Sequence, residues 1–115
     1  MYIRKIPRLY NCSLEVTVEV MGGKWKPFII CYLQNGPKRP TELQKMVSGI
    51  SKRVLAQQMK ELEDHAIITK TVYAEVPLRT EYQLTAFGQE LLPVVLMMEK
   101  WGRMYQPHLE KMRIA

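Results

Sequence analysis

Residues 41–64 read TELQKMVSGISKRVLAQQMKELED, and this stretch decides the fold. Leu43, Met46 and Val47 form a short apolar stripe at helical spacing. Thr41 stands where an N-cap is wanted, and Glu42 suits the positive end of a helix start. Ser48-Gly49 breaks the pattern, and Ser51 caps a second helix running from Lys52 to about Asp64. On that helix Leu55, Met59 and Leu62 share one face, while Lys52, Arg53, Ala56, Gln57 and Lys60 share the opposite one. Two helices joined by a tight turn with glycine, the second carrying Lys, Arg and Gln outward from its N-terminal half, make a helix-turn-helix.

Toward the C-terminus the periodicity changes. Ile67 to Tyr73 and Thr80 to Leu84 are rich in β-branched and aromatic residues, with Ala74-Glu75-Val76-Pro77-Leu78 between them. That pattern predicts a two-stranded hairpin, a wing over about 67–84. Thr85 caps a last helix from Ala86 toward Glu110, in which Pro93 removes one backbone bond, so a kink or two helices in series is expected. Toward the N-terminus, Ser13 is placed to cap a helix from Leu14 to about Met21, closed by Gly22-Gly23. A further helix is expected from Trp25 to about Leu33, with Pro27 in its first turn and Asn35-Gly36-Pro37 as the stop. The expected fold class is α+β, mostly helical: a single winged helix-turn-helix domain over 1–115 with extra helices at both ends.

Charge is concentrated on this unit. Between Lys24 and Lys60 lie eight basic residues (Lys24, Lys26, Lys38, Arg39, Lys45, Lys52, Arg53 and Lys60) against one acid, Glu42, and the rest of the chain nearly cancels. Such a block fits phosphate binding, because each neutralised phosphate releases condensed counterions. A solvated basic face without a partner is the plainer alternative. Residues 1–12 hold Arg4, Lys5 and Arg8 but no apolar run fit for a signal peptide, and no stretch is apolar enough for a membrane span, so the cytoplasm is the expected compartment. Cys12 and Cys31 are too few for a disulfide scaffold and lack metal-ligand spacing. His65 and His108 have no companion ligand or paired carboxylate at sensible spacing, and no phosphate-cradling glycine loop or nucleophile elbow is present. An enzyme is therefore not expected, and no cofactor or metal is implied.

Several strings together resemble the HxlR-type regulators, a MarR-like winged-helix family of homodimeric bacterial transcription factors. They are Gly22-Gly23-Lys24-Trp25, the run Gly49-Ile50-Ser51-Lys52-Arg53-Val54-Leu55, and Tyr73 through Thr85 (YAEVPLRTEYQLT), with Cys12 upstream and Trp101-Gly102 downstream. The likeness covers about residues 12–102. It implies binding of double-stranded DNA as a homodimer, with repression likelier than activation. Two positions depart from the family pattern: Ser13 stands where proline is frequent, and Ala66 where the recognition helix usually meets the wing through glycine. Alanine tolerates a left-handed turn poorly, so that helix end is expected to differ in detail.

Lys52, Arg53, Gln57 and Lys60 are the expected DNA contacts, since Arg reads guanine edges, Gln suits adenine and lysines hold phosphates. Ser51 and Thr41 stand at helix starts, which present unpaired N–H groups, and either bonds a phosphate or simply caps. Lys24 is a backbone-phosphate candidate, and Trp25 reads as core. Arg79 resembles winged-helix arginines that enter the minor groove, or else pairs with Glu75 or Glu81 across the hairpin. Cys31, among Phe28, Ile29, Ile30 and Tyr32, reads as a buried inert thiol. Cys12 precedes a helix start, a setting that favours thiolates, with Arg8 near in sequence. It also matches the place where some family members carry a cysteine that senses an oxidant or electrophile; an ordinary terminal residue is the alternative. The last helix is apolar on more than one face, through Leu91, Val94, Val95, Met98, Trp101 and Tyr105 together with Leu92, Leu96, Met97 and Met104. One face then docks on its own domain and another on a second copy. The competing reading is a winged helix used for protein–protein or RNA contact.

Overall fold

The computed structural model describes residues 12–114. Its elements, in chain order, are α1 (Ser13–Met21), α2 (Lys26–Tyr32), α3 (Pro40–Met46), α4 (Lys52–Asp64), β1 (Ile68–Tyr73), β2 (Arg79–Leu84) and α5 (Ala86–Ile114). The core is where the apolar stripes of the three middle helices meet the base of the hairpin. Ile29, Ile30 and Leu33 come from α2 and its end, Leu43 and Val47 from α3 and its end, and Leu55, Met59 and Leu62 from α4. Ile67, Ile68, Leu84 and Val95 close it from the wing and α5.

The helix ends show which local signals held. Ser51 caps α4, its Oγ accepting from the Val54 N–H at 3.1 Å. Thr85 caps α5, accepting from the Gly88 N–H at 3.1 Å while its hydroxyl donates to the Ala66 carbonyl at 2.6 Å. Two expected caps do not form. Cys12, not Ser13, is the N-cap of α1, and Ser13 is its first helical residue. Thr41 lies inside α3: Arg39 is the N-cap and Pro40 opens the helix, since its fixed φ and missing N–H suit that place. Glu42 still completes this start, its carboxylate accepting from the Arg39 backbone N–H at 2.7 Å.

Ala66 takes the left-handed conformation, with φ 59°. The Ala66 N–H bonds the Glu63 carbonyl and the Ile67 N–H bonds the Leu62 carbonyl, each at 2.9 Å. This is the Schellman pattern, with Ile67 and Leu62 both buried across it. The helix end therefore keeps the turn a glycine would make, contrary to expectation, because two hydrogen bonds and a core contact hold it. The chain then enters the hairpin, whose antiparallel register pairs Ile68 with Leu84 and Tyr73 with Arg79. Lys38, before α3, pairs with Tyr82 through two backbone bonds of 2.9 and 2.8 Å.

At Pro93 the expectation of two helices in series gives way to one continuous α5, which also contains Pro107 and ends beyond Glu110. Leu91, Leu92 and Val95 anchor the turn around Pro93 on the core, which offsets the lost backbone bond. Beyond Val95 every α5 residue whose side chain is described is exposed. The radius of gyration, 16.0 Å, exceeds the about 13 Å of a compact chain of this length. No helix among the described residues is long and apolar enough to cross a membrane.

Candidate nucleic-acid interface

The outward face of α4 forms as its spacing dictates. Leu55, Met59 and Leu62 are buried, while Lys52, Arg53, Ala56 and Lys60 are exposed and Gln57 is half-buried beside them. Lys52 and Arg53 occupy the first turn, where neither has an acid of its own turn to pair with. Lys60 differs: its ammonium lies 2.9 Å from the Asp64 carboxylate. That hydrogen bond, and then the Asp64 charge, hold the Lys60 amine above the ordinary lysine range.

The basic block is not all surface. Lys26 is 4% exposed, and its Nζ donates to Glu61 Oε1 at 2.6 Å. It belongs to the interior between α2 and α4, not to a phosphate-binding face. A signal for this was present in the sequence: Lys26 precedes Ile29 and Ile30 by three and four residues, so it shares their inward side. Lys24 is exposed, with its ammonium 4.5 Å from the centre of the Trp25 ring, and Trp25 packs against the core as expected. Arg39 and Lys45 add exposed charge on α3 and its cap. Thr41, in the first turn of α3, and Ser51, the N-cap of α4, are both exposed.

In the wing, Arg79 adopts the cross-hairpin alternative. Its guanidinium lies 3.1 Å from Glu75 and 3.9 Å from Glu81, and it stacks over the Tyr73 ring at 4.2 Å. These contacts knit the hairpin together. Val76 and Leu78, at the wing tip, are strongly exposed.

The two thiols differ as to place. Cys12 is exposed at the start of α1, on a shallow groove it shares with Leu14, Val18 and Gly22. Arg8, its neighbour in sequence, lies outside the described residues. Cys31 is half-buried, a correction to the fully buried thiol expected. It lines a mostly apolar cavity of about 340 Å³ between α2 and α5, with Phe28, Val95 and Met98. No group of three His, Cys, Asp or Glu side chains among the described residues is placed to hold a metal ion.

A family model for HxlR-like helix-turn-helix proteins matches residues 20–110. Among curated proteins, the chain is 40% identical over 105 residues to the HTH-type transcriptional regulator YdeP of Bacillus subtilis strain 168, covering 91% of this chain and 82% of that one. Among solved structures it is similar to the redox regulator HypR in its reduced form, with 39% identity and a TM-score of 0.82 over 87% of this chain and 99% of that one. It is also similar to diamide-treated YodB from B. subtilis, with 32% identity and a TM-score of 0.70 over 85% and 97% of the two chains. With the family model matching residues 20–110 and relatives of this identity over most of its length, the chain belongs to the HxlR-like helix-turn-helix family of transcriptional regulators.

Proposed function

We infer that this protein is a homodimeric repressor that binds double-stranded DNA sequence-specifically, with α4 in the major groove. The observation that carries the reading is the outward face of α4. Arg53 and Gln57 stand one turn apart on it, with Lys52 beside them and Lys60 one turn further. A bidentate Arg or Gln contact discriminates between bases, whereas a lysine at a phosphate does not. Lys24, Thr41 and Ser51 would flank this face as backbone contacts. Arg79 would serve by holding the wing in shape.

The dimer rests on α5. Met97, Trp101, Met104 and Met112 are each more than half exposed, too large an apolar surface for a lone helix to leave in water. Leu14 and Val18 of α1 are similarly exposed. Pairing two copies through these helices sets two recognition helices near ~34 Å apart, one turn of DNA. The exposed thiol of Cys12, on α1, would make the dimer responsive to an oxidant or electrophile. The redox regulator HypR and the diamide-treated YodB support that reading.

The test is selection of duplexes from a random pool by the purified protein, followed by titration of the selected duplex against a scrambled one over several salt concentrations. Arg53→Ala and Gln57→Ala should each relax preference at particular base pairs, costing roughly 1–3 kcal/mol. Lys60→Ala should weaken both duplexes alike and reduce the salt slope by about 0.9. Equal losses on both duplexes for all three variants would refute the assignment, and preferential binding of hairpin RNA would replace DNA by RNA as the partner.

A further inference from the structure

Lys26 and Glu61 form an ion pair of 2.6 Å with side chains only 5% and 9% exposed, and it joins α2 to the helix read above as the DNA reader. Neither residue faces solvent, so neither meets DNA. A buried pair of this kind is a weak source of stability, because desolvating two charges costs about as much as their attraction returns. Its other property is directionality. Apolar neighbours allow a helix to roll by small amounts, whereas a hydrogen-bonded pair has one short distance and one angle at which it is made.

The position of Glu61 on α4 gives that directionality a consequence. Glu61 follows Gln57 by four residues and Arg53 by eight, so on one rigid helix it stands about 40° and about 80° round the axis from them, on the buried flank of the outward face. Whatever fixes the rotation of Glu61 about the α4 axis fixes the rotation of Gln57 and Arg53. A roll of roughly 20° carries a side-chain tip about 5–6 Å from the axis through roughly 2 Å, more than a hydrogen bond to a base edge survives. The other end of the latch is equally placed: α2 packs against both α4 and α5. We propose that the buried Lys26–Glu61 pair is a positioning device that sets the rotation of α4, and so determines which base pairs Arg53 and Gln57 discriminate, while contributing little to stability.

This inference rests on the reading of α4 as the DNA-reading helix. The test uses the full chain with Lys26→Met and Glu61→Leu combined. The double change conserves net charge and strands no buried ion, as either single change would. The probes are a duplex selected by the wild-type protein from a random pool and a scrambled duplex of the same composition. The expected result is a thermal midpoint at or above that of the wild type, unchanged affinity and salt slope on the scrambled duplex, and a selected-to-scrambled ratio lower by about tenfold to a hundredfold. A folded double variant that keeps the wild-type ratio overturns the proposal, as does one that fails to fold, since the pair is then needed for the fold itself. If the wild-type protein selects no duplex, the reading of α4 falls and this inference with it. If it does and the variant discriminates equally well, only this inference falls.

Discussion

Ala66→Gly is expected to stabilise the protein, although it removes a methyl group and creates no contact. At φ 59° the Ala66 Cβ crowds its own carbonyl, a conformation that costs an L-residue roughly 1–2 kcal/mol. Glycine escapes that cost but loses about 0.4–1 kcal/mol through the greater freedom of its unfolded chain. The balance favours glycine by roughly 0.5–1 kcal/mol, or about 2–4 °C in thermal midpoint for a chain of this size. Both Schellman bonds use backbone atoms, so the substitution leaves them intact. Ala66 is exposed, so little packing is lost. Ala66→Val makes the opposite test, since a β-branched residue is poorly accommodated in the left-handed region, and it should lower the midpoint. The assay is thermal or urea unfolding at one fixed protein concentration, because association shifts the midpoint by mass action. A midpoint for Ala66→Gly at or below that of the wild type would refute the reasoning, since the turn would then be carrying no strain for glycine to relieve.

Asp64→Asn removes the carboxylate beside the Lys60 ammonium, and should strengthen binding to all duplexes alike, a gain that is lost when Lys60→Ala is added, read by titration at three salt concentrations. An equal gain in the Lys60→Ala background would show that Asp64 does not act through Lys60. Trp101→Asp places a charge on the exposed apolar face of α5; because a twofold interface contains each residue twice, a loss of about 2 kcal/mol per copy raises the dimer dissociation constant roughly a thousandfold. Sedimentation that finds the variant as dimeric as the wild type removes this face from the interface. Cys12→Ser should abolish the response of DNA binding to diamide or a quinone, and a variant that responds like the wild type, or a label mapped to Cys31, removes Cys12 as the sensor.

The helix-turn-helix was legible because two independent signals coincided on α4: a core stripe at Leu55, Met59 and Leu62, and a basic face opposite. The hairpin was legible from β-branched residues on both sides of a five-residue loop, and its ends shifted by one residue at most. What escaped was what depends on three-dimensional company. Nothing in the charge count separates Lys26 from Lys24; only its phase relative to Ile29 and Ile30 does. Thr41 has better capping chemistry than Arg39, yet Pro40 decides where α3 begins, because its ring already holds the helical φ. Pro93 carries a true breaking signal that three core anchors override. That Arg79 meets Glu75, Glu81 and Tyr73 together depends on how the wing loop folds back, which residue spacing alone does not give.

The Lys38–Tyr82 pairing bears on how copies of this protein avoid one another. A two-stranded sheet has two outer edges, and an edge with unpaired N–H and C=O groups is a template on which another chain adds a strand. Lys38 sits at the middle of the outer edge of β2 and engages both backbone groups of Tyr82 there. The opposite edge belongs to β1, which carries the charge of Lys70 at mid-strand, a residue type that discourages strand addition. A change before α3 that pulled Lys38 away would therefore act far from α4: it would turn the wing into an adhesive edge, and crowded copies would aggregate through their sheets.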